Sequence, residues 1–191
     1  MRVIAGTRRS MPLKAPVGMD TRPTQDRTKE TLFNVLQNEI PGAEFLDLFA
    51  GSGAISIEAL SRGASHATLV ENNKNAVSCI KDNLKFTKFS DEATLMETDV
   101  MAALYKLDGH KEFDIVFMDP PYNLEIEAQV LKTMNNMASV TEYTTVIMEA
   151  SLKRDLSFVE ECGFRIVKVK QYKTNPVSYT HLRAHETRHD L

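Results

Sequence analysis

From residue 43 onward the sequence alternates between short apolar runs and longer segments with helical periodicity, and this alternation restricts the fold more than any other feature. The strand-like runs are at 44–49, 67–71, 93–98, 113–118 and 144–149. The helical patterns are at 53–62, 74–86, 100–107, 125–138 and 152–162, and a further strand-like run follows at 164–172. Regular alternation of this kind is typical of a parallel sheet with helices on both faces. The sequence therefore predicts an α/β protein.

A glycine turn separates the first strand from the first helix of this alternation. The strand at 44–49 contains Asp47 and leads into Gly51-Ser52-Gly53. Strand, glycine turn and helix form the first half of a nucleotide-binding βαβ unit, although Ser56 occupies the third glycine position of the G-x-G-x-x-G pattern. Glu71 ends the next strand about twenty residues later, which is the spacing of an acid that binds ribose hydroxyls. The pattern indicates a nucleoside site, although an exposed acid at a strand end is the alternative for Glu71.

A second motif, Asp119-Pro120-Pro121-Tyr122, directly follows the strand-like run at 113–118. Consecutive prolines have no N–H donors and hold the backbone extended, so they continue neither a sheet nor a helix. They can fix a carboxylate, two carbonyl groups and an aromatic ring at the end of the sheet. This set suits a planar group that carries an amine, because the oxygens accept its hydrogens and the ring stacks on its face. The alternative is a loop that only ends a buried strand.

The charge of the chain is distributed unevenly. Residues 1–29 contain seven Lys or Arg and two Asp, a net charge of +5, whereas the whole chain has a net charge of −3. A basic N-terminal arm on an acidic body is a plausible arrangement for RNA docking, because phosphate contacts supply most non-specific affinity. The alternative is a solvated, charge-rich terminus. A helix is predicted to begin near Thr24, with Leu32, Phe33 and Leu36 on its apolar face.

Together, the glycine turn and the segment Asp119–Tyr122 resemble the class I S-adenosylmethionine-dependent methyltransferases that methylate exocyclic amines. The N-terminal segments Arg2–Gly6, Arg8-Arg9, Thr21–Thr24 and Asp26–Asn34 resemble the RsmD family, which methylates guanine N2 in bacterial 16S ribosomal RNA. The resemblance extends from residue 1 to about residue 175. DNA adenine and protein glutamine methyltransferases share Asp-Pro-Pro-Tyr, so the Arg22-Pro23-Thr24 segment is the discriminating motif.

The resemblance implies a Rossmann-like fold with a central, mostly parallel seven-stranded sheet, helices on both faces and a short N-terminal hairpin and helix extension. The expected domains are a basic extension at 1–40, a methyltransferase domain at 41–176 and an atypical tail at 177–191. This tail is polar where a final antiparallel strand should follow. We therefore predict that it is foreign or frameshifted sequence, which leaves the last strand in doubt. Its three histidines, His181, His185 and His189, could instead share one helix face and bind a metal ion.

The resemblance also implies roles for individual residues. The predicted catalytic residues are Asp119, Pro120, Pro121 and Tyr122, of which Asp119 and the Pro120 carbonyl accept the hydrogens of the amine and Tyr122 stacks on the base. The predicted cofactor-binding residues are Asp47, Phe49, Ala50, Gly51, Ser52, Gly53, Glu71, Asn72, Asp99 and Val100. Within this set, Asp47 orders the glycine loop, and Asp99 contacts the adenine amine or caps a helix. The predicted RNA-binding residues are Arg8, Arg9, Arg22, Thr24 and Arg27.

The expected activity is therefore methyl transfer from S-adenosylmethionine to a guanine N2 in 16S ribosomal RNA, at a site of the guanine 966 type. The expected partner is the small ribosomal subunit or its assembly intermediate. The protein is expected to be a cytoplasmic monomer without a membrane segment or metal ion. No disulfide is expected, because the two cysteines are far apart in the sequence. Three alternatives stay open. They are a DNA adenine or protein glutamine methyltransferase, a nicotinamide-dependent dehydrogenase, and a non-catalytic assembly factor that binds ribosomal RNA.

Overall fold

The computed structural model describes residues 1–16, 26–120, 124–151, 155–172 and 177–184. Its strands are β1 Glu44–Asp47, β2 His66–Val70, β3 Ala93–Met96, β4 Ile115–Met118, β5 Thr145–Ser151, β6 Phe164–Tyr172 and β7 Val177–Ala184. Its helices are α1 Asp26–Val35, α2 Ala54–Ser61, α3 Lys74–Thr87, α4 Val100–Leu107, α5 Leu124–Asn135 and α6 Phe158–Glu161. The strands form a seven-stranded sheet in the order β3-β2-β1-β4-β5-β7-β6. The predicted mostly parallel sheet is confirmed.

The chain divides into two compact units, Met1–Val100 and Met101–Leu191. In the first unit, β1 pairs in parallel with β2, and β2 with β3. Helix α2 is buried along its whole length, and Leu32 and Phe33 of α1 are buried as their spacing predicts. The predicted N-terminal hairpin is reduced to one antiparallel bridge between Arg2 and Pro12, although Val3 exchanges further backbone hydrogen bonds with Ser10 and Met11.

In the second unit, β4 pairs in parallel with β5, whereas β7 lies between β5 and β6 and is antiparallel to both. Strand β4 is buried at every residue, which explains its continuous apolar sequence. The register between β6 and β7 shifts between Ile166 and Lys168, as at a β-bulge. Among the helices in the described ranges, none has the length and apolar character that a membrane crossing requires.

The prediction that the tail at 177–191 is foreign or frameshifted sequence stays a prediction, but the last strand, which the sequence left in doubt, is present at residues 177–184. These residues form β7, and Thr180, Leu182 and Ala184 are buried on one face of it. His181 lies in this strand, so it cannot share a helix face with His185 and His189, which lie outside the described residues. No cluster of three or more potential metal ligands occurs in the described part of the chain.

Helix α6 is much shorter than the predicted helix at 152–162. The Asp155 carboxylate accepts hydrogen bonds from the backbone N–H and the hydroxyl of Ser157, at 2.9 Å each. A side chain that bonds to the backbone two residues later favours a turn over a helix, so α6 begins only at Phe158. The helix ends before Gly163, which has a φ of +86°. Residues 152–154 of the predicted helix lie outside the described residues.

Candidate functional site

The turn after β1 has a backbone that requires glycine. Gly51 and Gly53 have φ values of +56° and +76°, in the left-handed region that other residues seldom adopt. The Ala50 N–H donates to the Val70 carbonyl at 3.0 Å, and the Gly53 N–H donates to the Ala50 carbonyl at 2.7 Å. The turn is therefore fixed between β1 and β2. A side chain on Gly51 would meet no atom within 4 Å, so the backbone here faces open space.

Asp47, at the end of β1, is a buried carboxylate with few partners. One of its oxygens, Oδ2, accepts a hydrogen bond from the Ser56 hydroxyl of α2 at 2.8 Å. The other oxygen, Oδ1, is buried and has no hydrogen-bond partner within the described structure. Burial raises the pKa of Asp47 from 3.8 to about 7, against the opposing influence of Ser56 and the Phe49 N–H, and the nearby Glu71 raises it further. Ser56, at the third glycine position of the dinucleotide pattern, thus stabilises the ionised form of Asp47 by its hydrogen bond.

Glu71 holds the glycine turn, a role that the sequence did not suggest. Its Oε2 accepts a hydrogen bond from the Gly51 N–H at 2.9 Å. Its Oε1 accepts from the N–H groups of Asn72 and Asn73 at 3.0 and 2.9 Å. A carboxylate has about four acceptor positions, so one position on Oε2 remains after these bonds. Glu71 can therefore accept from one ribose hydroxyl as it stands, and a contact through both of its oxygens would require Oε1 to give up a backbone bond.

Asn83 on α3 was missed by the sequence reasoning. Its side chain is buried and donates to the Ser52 carbonyl at 2.9 Å and to the Lys14 carbonyl at 3.1 Å. Its Oδ1 accepts from the Lys14 N–H at 2.9 Å. Asn83 therefore connects the glycine turn to the N-terminal segment. The sequence feature that could have indicated this role is the position of Asn83 on the apolar face of α3, next to Leu84, because a buried amide needs hydrogen-bond partners.

The other predicted cofactor residues lie at the carboxyl ends of the same three parallel strands. Asn72 follows β2 and is exposed, and Asp99 follows β3 and is also exposed. Asp99 directly precedes α4, which is the position of a helix cap, and Val100 is the buried first residue of that helix. Because β1, β2 and β3 are parallel neighbours, their carboxyl ends share one edge of the sheet. The first unit thus brings all the predicted cofactor residues to this edge.

Asp119 and Pro120 directly follow the carboxyl end of β4 in the second unit. Asp119 is half-buried and Pro120 is buried. Pro121 and Tyr122 lie outside the described residues, and their catalytic assignment stays a prediction, as does that of Asp119 and Pro120.

Arg8 is anchored to the first unit. Its Nε donates to the Thr87 carbonyl at 2.7 Å, and its guanidinium lies 4.9 Å from the centre of the Phe89 ring. Its backbone N–H also donates to the Ser61 hydroxyl at 2.9 Å. These contacts fasten the N-terminal turn to the ends of α2 and α3, so Arg8 has a structural role beside its predicted RNA contact.

The other predicted RNA-binding residues divide into two groups. Arg9 and Arg27 are exposed, as a phosphate contact requires. Arg22 and Thr24 lie outside the described residues. All four assignments stay predictions.

A buried ion-pair network joins the N-terminal segment to α1 and α2. The Glu58 carboxylate lies 3.3 Å from Lys29 Nζ and 2.8 Å from Arg62 Nε. It also accepts from the N–H groups of Ile4 and Ala5 at 2.7 and 3.0 Å. Burial lowers the pKa of Lys29, and the neighbouring Glu58 opposes this. Apart from the Glu58–Arg62 spacing of four residues, no local pattern indicates this network, because Ile4, Ala5 and Lys29 are far from Glu58 in the chain.

The strand order, the antiparallel β7 and the glycine turn define a class I methyltransferase. A family model described as "Conserved hypothetical protein 95" matches residues 1–181. The chain belongs to this family, which is the RsmD family.

Three relatives illustrate this membership. "Putative rRNA methyltransferase YlbH" of Bacillus subtilis is 34% identical over 90% of this chain and 92% of its own length. "Ribosomal RNA small subunit methyltransferase D" of Escherichia coli is 34% identical over 83% of this chain and 79% of its own length. The solved structure of "Putative methyltransferase yhhF from Escherichia coli" has a TM-score of 0.80 and 29% identity, over 96% of this chain and 97% of that chain.

S-adenosylmethionine is the methyl donor of this class, and the residues around the glycine turn fit it. The buried Oδ1 of Asp47 is an acceptor suited to the ammonium of the methionine portion. The remaining position on Glu71 Oε2 suits a ribose hydroxyl. The open space at Gly51 lets a ligand lie against the backbone. These three features are what a sulfonium nucleoside with an amino-acid tail requires.

Proposed function

We propose that this protein transfers a methyl group from S-adenosylmethionine to the exocyclic N2 amine of a guanine in 16S ribosomal RNA, at a site of the guanine 966 type. The observation that carries the proposal is the family match over residues 1–181, which includes both the basic N-terminal arm and the Asp119-Pro120 segment. The names of the relatives from B. subtilis and E. coli support ribosomal RNA as the substrate. The N2 position rests on the resemblance described above.

The cofactor supplies an electrophilic methyl group on a sulfonium. In the proposed reaction, Asp47 pairs with the ammonium of the cofactor, and Glu71 accepts from a ribose hydroxyl. Because Glu71 also binds the Gly51 N–H, contact with the ribose and the shape of the turn are linked. Glu71 and Asn83 already hold the turn in one conformation, so little conformational entropy is lost when the cofactor binds.

The chemical difficulty lies in the guanine amine, whose lone pair is delocalised into the ring. Asp119 and the Pro120 carbonyl accept the two hydrogens of the amine and favour a more pyramidal nitrogen, while Tyr122 stacks on the base. Alignment of the nitrogen with the methyl group contributes on the order of 7–11 kcal/mol to such a reaction. After transfer the nitrogen is acidic and loses its proton to Asp119 or to water. The base must leave its helix or loop to be held in this way.

Transfer of labelled methyl groups tests the substrate. We expect label on 30S subunits or bare 16S RNA and none on DNA or on release factor. Mass spectrometry of the digested RNA should then give one N2-methylguanine. Label on DNA alone would disprove RNA as the substrate. RNA binding without any methyl transfer would favour the non-catalytic assembly factor.

The Asp119→Ala variant tests the catalytic assignment. We expect kcat to fall on the order of 100-fold, the effect of losing correct orientation of the amine, with the Kd for S-adenosylmethionine unchanged. Asp119→Asn keeps one acceptor oxygen and should lose less. The matched control is Glu112→Gln, an exposed acid shortly before β4. An Asp119→Ala enzyme with the wild-type kcat would remove Asp119 from the mechanism.

A further inference from the structure

An aromatic side chain of α3 is exposed without any catalytic role to explain it. Phe86 has an exposed fraction of 53%, and no other large apolar side chain in the described part of residues 1–100 is exposed. Its neighbours Leu84 and Thr87 are buried, so α3 is otherwise a normal amphipathic helix. A single exposed apolar residue is common, so the surroundings of the ring decide its meaning.

Those surroundings are basic. Lys85 and Lys88 flank Phe86 in sequence and are both exposed. Arg8 binds the carbonyl of Thr87, the next residue, so the N-terminal turn with Arg8 and Arg9 lies against this end of the helix. The α3 surface, as we name it, consists of Phe86, Lys85, Lys88, Arg8 and Arg9.

Acidic groups near the α3 surface offset only part of this charge. One helical turn before Phe86, Asp82 lies 2.7 Å from Lys14 Nζ, so these two charges neutralise each other. Asp91 and Glu92 follow the helix and are exposed. The α3 surface therefore combines an exposed ring with four cations, a composition that binds single-stranded nucleic acid by base stacking and phosphate contacts.

We propose that the α3 surface binds an unpaired stretch of ribosomal RNA, with one base stacked on Phe86 and phosphates held by Lys85 and Lys88. The inference rests on the proposed function for the identity of the RNA and extends the RNA contact beyond the N-terminal arm. Asn83, one turn before Phe86, donates to the Ser52 carbonyl of the glycine turn. RNA on the α3 surface is thus held in a fixed relation to the cofactor loop of the same unit.

Binding of bare 16S RNA to the full-length protein without cofactor tests the stacked base. We expect Phe86→Ala to raise the Kd about 5- to 160-fold, the loss associated with one base–aromatic stack. Phe86→Tyr keeps a ring and should retain the wild-type Kd. The control Tyr143→Ala removes another exposed aromatic side chain, next to Glu142, and should have no effect. Unfolding midpoints and the Kd for S-adenosylmethionine should be the same in all four proteins.

The salt dependence of binding tests the cations. Lys85→Gln and Lys88→Gln should each reduce the slope of log Kd against log salt by about 0.7, the value for one phosphate contact with a single strand. Lys132→Gln, an exposed lysine of α5, is the control and should leave the slope unchanged.

The proposal is overturned if Phe86→Ala binds RNA as tightly as the wild type. It is also overturned if Phe86→Ala only converts a dimer to a monomer in sedimentation, because the ring would then contact a second copy of the chain. Because RNA binding is measured separately from methyl transfer, the proposal for the α3 surface can be disproved while the wild type still methylates RNA. Conversely, a wild type that methylates no RNA would remove the proposed function whatever Phe86 does.

Discussion

Two buried carboxylates of the first unit, Asp47 and Glu58, differ in how completely they are paired. Glu58 accepts from two backbone N–H groups and faces two cations, Lys29 and Arg62. One oxygen of Asp47 accepts a hydrogen bond from the Ser56 hydroxyl, and its other buried oxygen has no partner within the described structure. A buried charge is stable only when it is paired. Glu58 therefore suits a structural role, whereas Asp47 suits a ligand that brings the missing positive charge.

The largest expected effect is at Glu58. In Glu58→Gln the cation of Lys29 stays buried without its counter-charge, and breaking a buried pair in this way costs about 3–5 kcal/mol. Urea unfolding measures the loss as a lower midpoint. The double variant with Lys29→Met should regain part of it, because the fully buried ammonium is then removed and only the partly exposed Arg62 still lacks its counter-charge.

An exposed pair supplies the control for Glu58. Lys14 and Asp82 lie 2.7 Å apart with their side chains mostly exposed, and exposed pairs contribute little. Asp82→Asn should therefore leave the unfolding midpoint nearly unchanged. Equal midpoints for Glu58→Gln and the wild type would mean that water solvates the buried network and that the contrast with Asp47 does not exist.

The second effect is the pH dependence of stability at Asp47. Its folded pKa of about 7 lies above the ordinary value of 3.8. The stabilising contribution of this group is therefore complete below about pH 4 and is lost as the pH rises to about 7. Asp47→Asn should lack this dependence and should exceed the wild type in free energy of unfolding at alkaline pH, by at most about 4 kcal/mol. Urea unfolding across this pH range measures it in the absence of cofactor.

Cofactor affinity at Asp47 should change in the opposite direction. Ionised Asp47 attracts the ammonium of S-adenosylmethionine, so the Kd should rise up to about tenfold for each pH unit below 7. Asp47→Asn should bind weakly at every pH, which calorimetry would measure. A wild-type Kd that does not change with pH would show that Asp47 does not face the ammonium.

The sequence predicted the elements of the sheet well because their signals are local. Strands β1 to β5 and helices α2 to α5 lie close to their predicted positions, since each carries its own apolar pattern. Strand β7 was left in doubt because its buried residues, Thr180, Leu182 and Ala184, are weakly apolar apart from Leu182. Their spacing of two residues was the signal, and the polar composition concealed it.

The site was predictable only where its parts are neighbours in the chain. The glycine turn and Glu71 follow a spacing fixed by one βαβ unit, so the sequence contains them. The partners of Glu58 and Asn83 are 54 and 69 residues away in the N-terminal segment, at Ile4 and Lys14. Such contacts depend on how the segments pack, and no local pattern records them.

The smallest expected effect is at Ser56, and it tests whether the contrast between the two acids can be tuned. Ser56→Ala removes the hydroxyl that favours ionised Asp47, so the pKa of Asp47 should rise by roughly one unit, equivalent to about 1.4 kcal/mol. The pH at which cofactor affinity declines should move upward by the same amount. Ser61→Ala is the control, because the hydroxyl of Ser61 binds Ala5 and Arg8 of the N-terminal segment instead. Identical pH profiles for Ser56→Ala and the wild type would show that Ser56 does not set the charge of Asp47.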